Sequence, residues 1–299
     1  MTFADQHIRR RHFLSLLGAG MLLPLKVVMA HSNSHPVSLL TAPLELGGSW
    51  RGSSPADAVA VIERMRAACL KNVSLVSDHQ PERLRVDDKS GSNPSIWLHD
   101  ENPTTAWMTV IVGTRDWCNL AYQFGHELGH VLCNSWEANA KPRNPCQWIE
   151  ESLVEAFSLH GLGTLANDWE RTPPFPHDAA YASSIRDYRA NLLYGYGEAA
   201  HDEGASVGLG SWFKVHGASL QTHGGLDDAR GAVSTMFALF ENDPTLIVDL
   251  GALNRWPGRS GVPVQNYLDL WQRSCLELGV SGKLPVRLRE LLTAVRSER

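Results

Sequence analysis

The sequence predicts an α+β fold, in which a small N-terminal, sheet-containing lobe packs on a mostly helical C-terminal part. The segment 106–112 is rich in β-branched residues and ends at Gly113, which is typical of a strand. From Asp116 onward, apolar residues recur at helical spacing over most of the chain. With 43% hydrophobic residues among 299, the chain can bury a sizeable core. A cleft between the two parts is the expected place for a functional site.

Residues 1–30 have the layout of an export signal. Arg9, Arg10 and Arg11 precede an apolar run over 14–25, and Val28-Met29-Ala30 supplies a small-residue exit for cleavage. Paired arginines followed by Phe and Leu resemble a twin-arginine signal. An uncleaved membrane anchor is the alternative, but the run is shorter than the ~20 residues that span a bilayer. We therefore expect the twin-arginine export machinery as a partner, a periplasmic or secreted location, and no stable membrane insertion after cleavage.

The elements that follow are placed by composition and periodicity. Residues 31–55 are rich in Ser, Pro and Gly and are predicted to be an irregular linker. The folded domain is expected over 56–299, beginning with a helix over 56–70. Strands are predicted over 95–99 and 106–112.

The rest of the chain is predicted to be mostly helical. Asp116 is a suitable N-cap for a helix to about residue 134. A second helix is expected from about Gln147 to a stop at Gly161 or Gly163. The Gly-rich stretch 208–210 is predicted to be a turn. Further helices are expected over 179–200, 226–241, 263–278 and 284–297.

Charge and cysteine content exclude some functions. A formal net charge of -5 argues against a nucleic-acid partner, since such proteins are usually basic. The five cysteines are an odd number, and none forms a CxxC pair, so a thiolate zinc site is not expected. Export permits disulfides, and the spacing of Cys133 and Cys146 suggests that these two pair.

The segment His126-Glu127-Leu128-Gly129-His130 is an H-E-x-x-H motif. Residues four apart on a helix share a face, so both imidazoles can bind one Zn²⁺. Glu127 would lie close enough to a metal-bound water to act as a general base. The alternative is a helix with two solvated or capped histidines. However, the flanking residues are apolar, and burying His and Glu side chains costs several kcal/mol unless they are paired or bind metal.

A catalytic zinc needs a third protein ligand, and Glu151 on the following predicted helix is the candidate. Glu155 lies one turn later on the same face and can accept a hydrogen bond from a ligand imidazole. Glu150 and Glu155 are alternative ligands. An exposed acidic helix face without a metal role is the other interpretation.

His126, Glu127, His130, Glu151 and Glu155 together resemble the pattern of the gluzincin zinc metallopeptidases, over residues 117–157. The resemblance implies a zincin-like metallopeptidase domain over 56–299 with an active-site helix and one zinc ion. It implies hydrolysis of a peptide or protein substrate by a zinc-activated water, with Glu127 as general base. It also implies that the strand 107–112 lies beside the cleft and pairs with an extended substrate. The plain alternative is that this strand is sheet core.

A second donor to the reacting carbonyl would help catalysis, and Tyr196 is the favoured candidate. Its neighbours Gly195 and Gly197 would permit an exposed, mobile ring. Tyr194, His201, His216 and His223 are further candidates. The alternative function is a non-catalytic, zinc-stabilised exported binding or maturation factor on the same scaffold. The presence of Glu127 favours the enzyme, because a structural zinc site has no use for a base.

Overall fold

The computed structural model describes the chain from residue 38 to residue 294, with short gaps. All described residues belong to one compact unit. The predicted signal over 1–30 lies outside the described residues. The described ranges are 38–50, 53–71, 73–74, 76–89 and 93–294.

The described part of the chain is α+β and contains a four-stranded sheet. Its strands are β1 Leu44–Gly48, β2 Arg83–Asp88, β3 Ser95–Ile96 and β4 Thr105–Val110. Their order in the sheet is β1-β2-β4-β3. Strands β1, β2 and β4 are parallel, and β3 runs antiparallel to β4 at one edge. Leu84, Val86, Ala106 and Met108 are fully buried and form the inner layer of the sheet.

Helices form the rest of the described core. The first helix begins where Pro55 occupies the first turn and the Ser54 hydroxyl accepts a hydrogen bond from the Asp57 amide, a favourable helix start. The helices are α1 Pro55–Cys69, α2 Trp117–Leu132, α3 Gln147–Arg171, α4 Tyr181–Asp202, α5 Leu209–His216, α6 Leu226–Asn242, α7 Val264–Glu277 and α8 Lys283–Thr293. Short 3-10 helices cover Ser219–Gln221 and Pro244–Ala252. No helix of the described ranges is long and apolar enough to cross a bilayer.

Helices α2 and α3 pack against each other at very short range. A Cβ atom at Gly129 would lie 2.7 Å from the Cβ of Val154, so only glycine fits there. The Ser158 hydroxyl of α3 donates to the carbonyl of Tyr122 on α2 at 2.7 Å. Helix α3 also contacts α1, α4 and α6, so it runs through the centre of the helical part.

Helix α3 is longer than the sequence predicted, because Gly161 and Gly163 do not end it. The helix continues to Arg171. A Cβ atom at Gly161 would lie 2.3 Å from the Cys69 sulfur of α1. This glycine therefore permits a close helix crossing and does not cap the helix.

The predicted linker over 31–55 is wrong for part of its length. Leu44–Gly48 forms β1, which pairs with β2, and neither strand was predicted. Leu39 and Ala42 just before it are fully buried. The predicted turn over 208–210 is also wrong, because Leu209 and Gly210 begin α5 and Gly208 directly precedes it. Gly210 fits there because a Cβ would lie 2.8 Å from the carbonyl oxygen of Leu292.

The predicted pairing of Cys133 with Cys146 is also wrong. All five cysteines are free and buried. The Cys146 thiol is instead directed at the carbonyl of Val262, at 3.0 Å. The connection between α2 and α3 is held by other contacts, including a hydrogen bond from the Arg143 amide to the Ser260 hydroxyl at 2.7 Å.

Candidate metal centre

His126 and His130 lie one turn apart on α2 and face the N-terminal half of α3. Their ring centroids are 5.0 Å apart, with the ring planes at 72°. The two side chains are 13% and 14% exposed, so each ring is largely buried but reaches the surface of a cleft. The helical spacing of the motif thus places both imidazoles on one face, as two ligands of one ion require.

Glu151 of α3 completes a set of three donor atoms. Its Oε2 lies 3.7 Å from the Nε2 of His126 and 3.7 Å from the Nε2 of His130. One donor atom from each of the three residues lies within 4.8 Å of the others. Tetrahedral zinc with bonds near 2.05 Å separates its ligands by about 3.3 Å. Small side-chain movements would therefore bring all three onto one ion.

Two further glutamates of α3 contact the Nδ1 atoms of the two imidazole rings. Glu155 Oε2 lies 2.8 Å from His126 Nδ1, and Glu150 Oε1 lies 2.8 Å from His130 Nδ1. A carboxylate on Nδ1 fixes the tautomer that leaves Nε2 free to bind metal, and it orients the ring. Glu150 and Glu155 were alternative ligands in the sequence interpretation. In the structure both of them contact Nδ1 atoms, whereas Glu151 lies near the two Nε2 atoms.

Sequence reasoning missed the residue that holds Glu150. The side-chain amide of Asn254 donates to Glu150 Oε2 at 2.7 Å, and its carbonyl accepts from the Tyr267 hydroxyl at 3.1 Å. Asn254 also donates to the carbonyl of Cys133 and to the Ser135 hydroxyl, each at 3.2 Å. It lies in a loop 104 residues from Glu150, and no local pattern marks it.

The electrostatics of the centre suit a divalent cation. Burial raises the pKa of Glu127, and the adjacent imidazoles only partly oppose this. Burial also tends to raise the pKa of Glu151, but His126 and His130 lower it to about 2, so this carboxyl is ionised at neutral pH. Four buried or nearly buried carboxyl groups therefore face two imidazoles. Burial alone would lower the pKa of both imidazoles, but the neighbouring glutamates raise it. The acidic groups therefore favour positive charge at this place, on the rings or on a bound cation, and the N, N, O donor set is one that zinc uses.

Glu127 lines the cleft in front of the three donors. It is 3% exposed, and no described residue donates a hydrogen bond to its carboxyl group. The cleft has a volume of about 210 Å³, and its walls include Ile96, Leu98 and Pro142. A carboxylate without a protein partner, at the edge of a small cleft, is free to exchange a proton with a bound molecule.

The strand beside the cleft is not the predicted one. β4 contains most of the predicted strand 107–112, but β2 and β3 occupy its two edges, so it has no free edge for a substrate. β3 is the edge strand, and Ser95 and Ile96 line the cleft. The expectation that 107–112 pairs with substrate is therefore wrong, and its alternative as sheet core is correct.

Tyr196 is not the exposed ring that its glycine neighbours suggested. It is 7% exposed and packs with Leu159 and Val233. It is absent from the lining of the cleft. The reason is that α4 packs on α3 and α6, which turns Tyr196 into the core.

Comparisons of the chain with descriptions of protein families, with curated proteins and with solved structures give no match. Three convergent donor atoms and an unpartnered carboxyl group lie at one cleft, an arrangement that metal-dependent hydrolases use.

Proposed function

We propose that this protein is an exported, zinc-dependent metallopeptidase that hydrolyses peptide bonds. The observation that carries the proposal is the convergence of His126 Nε2, His130 Nε2 and Glu151 Oε2, with Glu127 in the same cleft. Its fold would be zincin-like, with α2 as the active-site helix and β3 as the antiparallel edge strand. The export signal over 1–30 supports a periplasmic or secreted location.

His126, His130 and Glu151 would hold one zinc ion. Bound zinc lowers the pKa of a water ligand and polarises a substrate carbonyl. Glu127 would accept the proton of the attacking water and deliver it to the leaving amine. Burial raises the pKa of its carboxyl group above the usual value for glutamate, which suits a group that both accepts and returns a proton.

The other residues of the centre would position these four. Glu155 and Glu150 hold the imidazoles through Nδ1, so that both Nε2 atoms face Glu151. Ile96, Leu98 and Pro142 supply apolar walls for the substrate chain. The free edge of β3 would offer backbone hydrogen bonds to an extended peptide.

The test joins metal analysis with peptide cleavage. The purified wild type should contain one zinc per chain and cleave members of a peptide library, whereas His130→Ala should contain none. Glu127→Gln should retain zinc and thermal stability but lose at least about 100-fold in cleavage rate, because it removes the general base alone. Wild-type activity in Glu127→Gln would overturn the peptidase mechanism. Zinc binding without cleavage of any library member by the wild type would favour the non-catalytic factor.

A further inference from the structure

A second cavity lies on the other side of the segment that walls the metal cleft. Its volume is about 340 Å³. Along the segment 134–143, Ser135, Ala140 and Pro142 line the metal cleft. The alternate residues Asn139, Lys141 and Arg143 line the second cavity. One short stretch of chain therefore separates the two sites.

The lining of this cavity is strongly basic. Lys141, Arg143, Arg255 and Arg259 all contribute to it, and Glu137 is the one acidic residue among its lining residues. Four cations against one carboxylate leave an excess of positive charge. This contrasts with the whole chain, whose formal net charge is -5.

Most of this positive charge is not neutralised by the protein. Arg255 pairs with Asp78 and Glu277. Arg259, in contrast, donates to neutral groups, which are the carbonyl of Asn134 at 2.8 Å, the Ser135 hydroxyl at 2.7 Å and the carbonyl of Asn254 at 3.1 Å. Among the described residues, no carboxylate lies within 4.0 Å of the charged groups of Lys141, Arg143 or Arg259.

Arg259 is also held in a fixed position. Its φ is 44°, and the preceding Gly258 has a φ of 84°, so the loop adopts backbone conformations that are unusual for most residues. Three hydrogen bonds fix the guanidinium in the wall of the cavity. A cation that is oriented by neutral acceptors keeps its charge for a ligand, and its fixed orientation reduces the entropy cost of binding.

We infer that this cavity binds a ligand that carries an oxyanion, a carboxylate or a phosphate, through Lys141, Arg143 and Arg259. The volume matches that of sites for small molecules or short chain segments. Arginine binds both kinds of oxyanion through paired N–H groups. The inference does not depend on peptidase activity, because none of the three cations contacts the metal ligands.

The structure also connects the cavity to the metal centre. Asn254 lines the cavity and donates to Glu150, which holds His130. A ligand on Arg259 would therefore lie beside the network that orients one of the two imidazoles. Binding in the cavity is expected to stabilise the His130 side of the centre.

The experiment is a calorimetric titration of the full-length protein, at constant ionic strength, with inorganic phosphate and separately with triglutamate peptide. Both probes should bind saturably. Arg143→Gln should weaken binding at least about tenfold, because a hydrogen bond to a charged group is lost. Lys214→Gln is the matched control, since Lys214 is an exposed cation outside the cavity. Arg143 is also exposed, so its replacement should leave the fold intact.

The outcomes are distinct. Tighter binding of triglutamate than of phosphate would identify a chain-borne carboxylate as the ligand, and the reverse order would identify a phosphate. Equal binding by wild type, Arg143→Gln and Lys214→Gln would overturn the inference, because general charge attraction or phosphate at the metal centre would then explain the heat. Absence of saturable binding in the wild type would also overturn it.

Discussion

The two imidazoles of the candidate metal centre are supported in different ways. On the His126 side, Glu155 Oε2 contacts the ring; the Tyr122 and Tyr196 hydroxyls lie near this carboxylate, but its other oxygen has no hydrogen bond of normal geometry. On the His130 side, Glu150 contacts the ring with Oε1 and accepts from Asn254 with Oε2. Asn254 is bonded in turn to Tyr267 of α7. The hydrogen bonds that support His130 therefore continue into the C-terminal part of the chain, whereas Glu155 makes no such onward hydrogen bond.

This difference shows how a two-helix motif depends on the rest of the fold. Helices α2 and α3 supply every donor atom and both supporting carboxylates. The loop with Asn254 and helix α7 add only orientation, and they add it to one ring. Because a buried carboxylate is costly when it lacks partners, the C-terminal part stabilises the His130 side specifically.

The largest effect on zinc affinity is expected when either of the two supporting carboxylates, Glu150 or Glu155, is replaced. Glu150→Gln and Glu155→Gln should each lower zinc affinity by about 10- to 100-fold, since each removes the anion behind a ligand imidazole. Only Glu150→Gln should also destabilise the metal-free protein, by about 1–3 kcal/mol, because the single carbonyl oxygen of glutamine cannot accept from both the His130 ring and the Asn254 amide. Zinc competition titrations and denaturant unfolding measure the two effects. Equal loss of stability in both variants would contradict the asymmetry.

The next prediction concerns the packing of α2 on α3 at Gly129, because the positions of all three donor residues depend on it. Gly129→Ala should destabilise the protein by about 1–3 kcal/mol, because the added Cβ would meet Val154 and force α2 away from α3. Zinc affinity should fall with it, since the three donors come from both helices. Gly195→Ala is the control within α4, where nothing lies within 4 Å of the added atom. That variant should be neutral or up to about 1 kcal/mol more stable. A Gly129→Ala protein with wild-type stability and zinc affinity would show that the helices adjust freely.

The smallest effect is expected at Tyr267, which lies at the end of the hydrogen-bond chain that supports His130. Tyr267→Phe removes the hydroxyl that donates to Asn254, and it should cost about 1 kcal/mol of unfolding free energy with a measurable fall in zinc affinity. Tyr188→Phe removes a similar bond, to Asn119 at 3.3 Å, away from the three donor residues. It should leave zinc affinity unchanged. If zinc titrations give the same affinity for both variants, orientation through Asn254 does not matter for binding.

Much of the candidate site could be predicted from sequence because its parts are local. His126 and His130 are one turn apart, and Glu151 and Glu155 are likewise one turn apart on the next helix. Helical periodicity alone puts each pair on one face. Asn254 could not be predicted, since a single loop asparagine has no periodic signal. Tyr196 was misplaced because its glycine neighbours suggested freedom that the packing of α4 removes.

In the sheet and at the helix ends, too, some features could be predicted from local sequence and others depended on tertiary contacts. The β-branched strand that became β4 was visible in sequence, but the short strands β1 and β2 were not, because their identity depends on pairing with strands far along the chain. Gly161 suggested a helix end, whereas contact with Cys69 of α1 decided its role. Local periodicity and residue chemistry thus determined the α+β class and the three residues whose donor atoms lie close enough to hold a metal. Contacts between distant segments decided the edge strand, the support of each imidazole and the basic cavity, because such contacts leave no pattern in neighbouring residues.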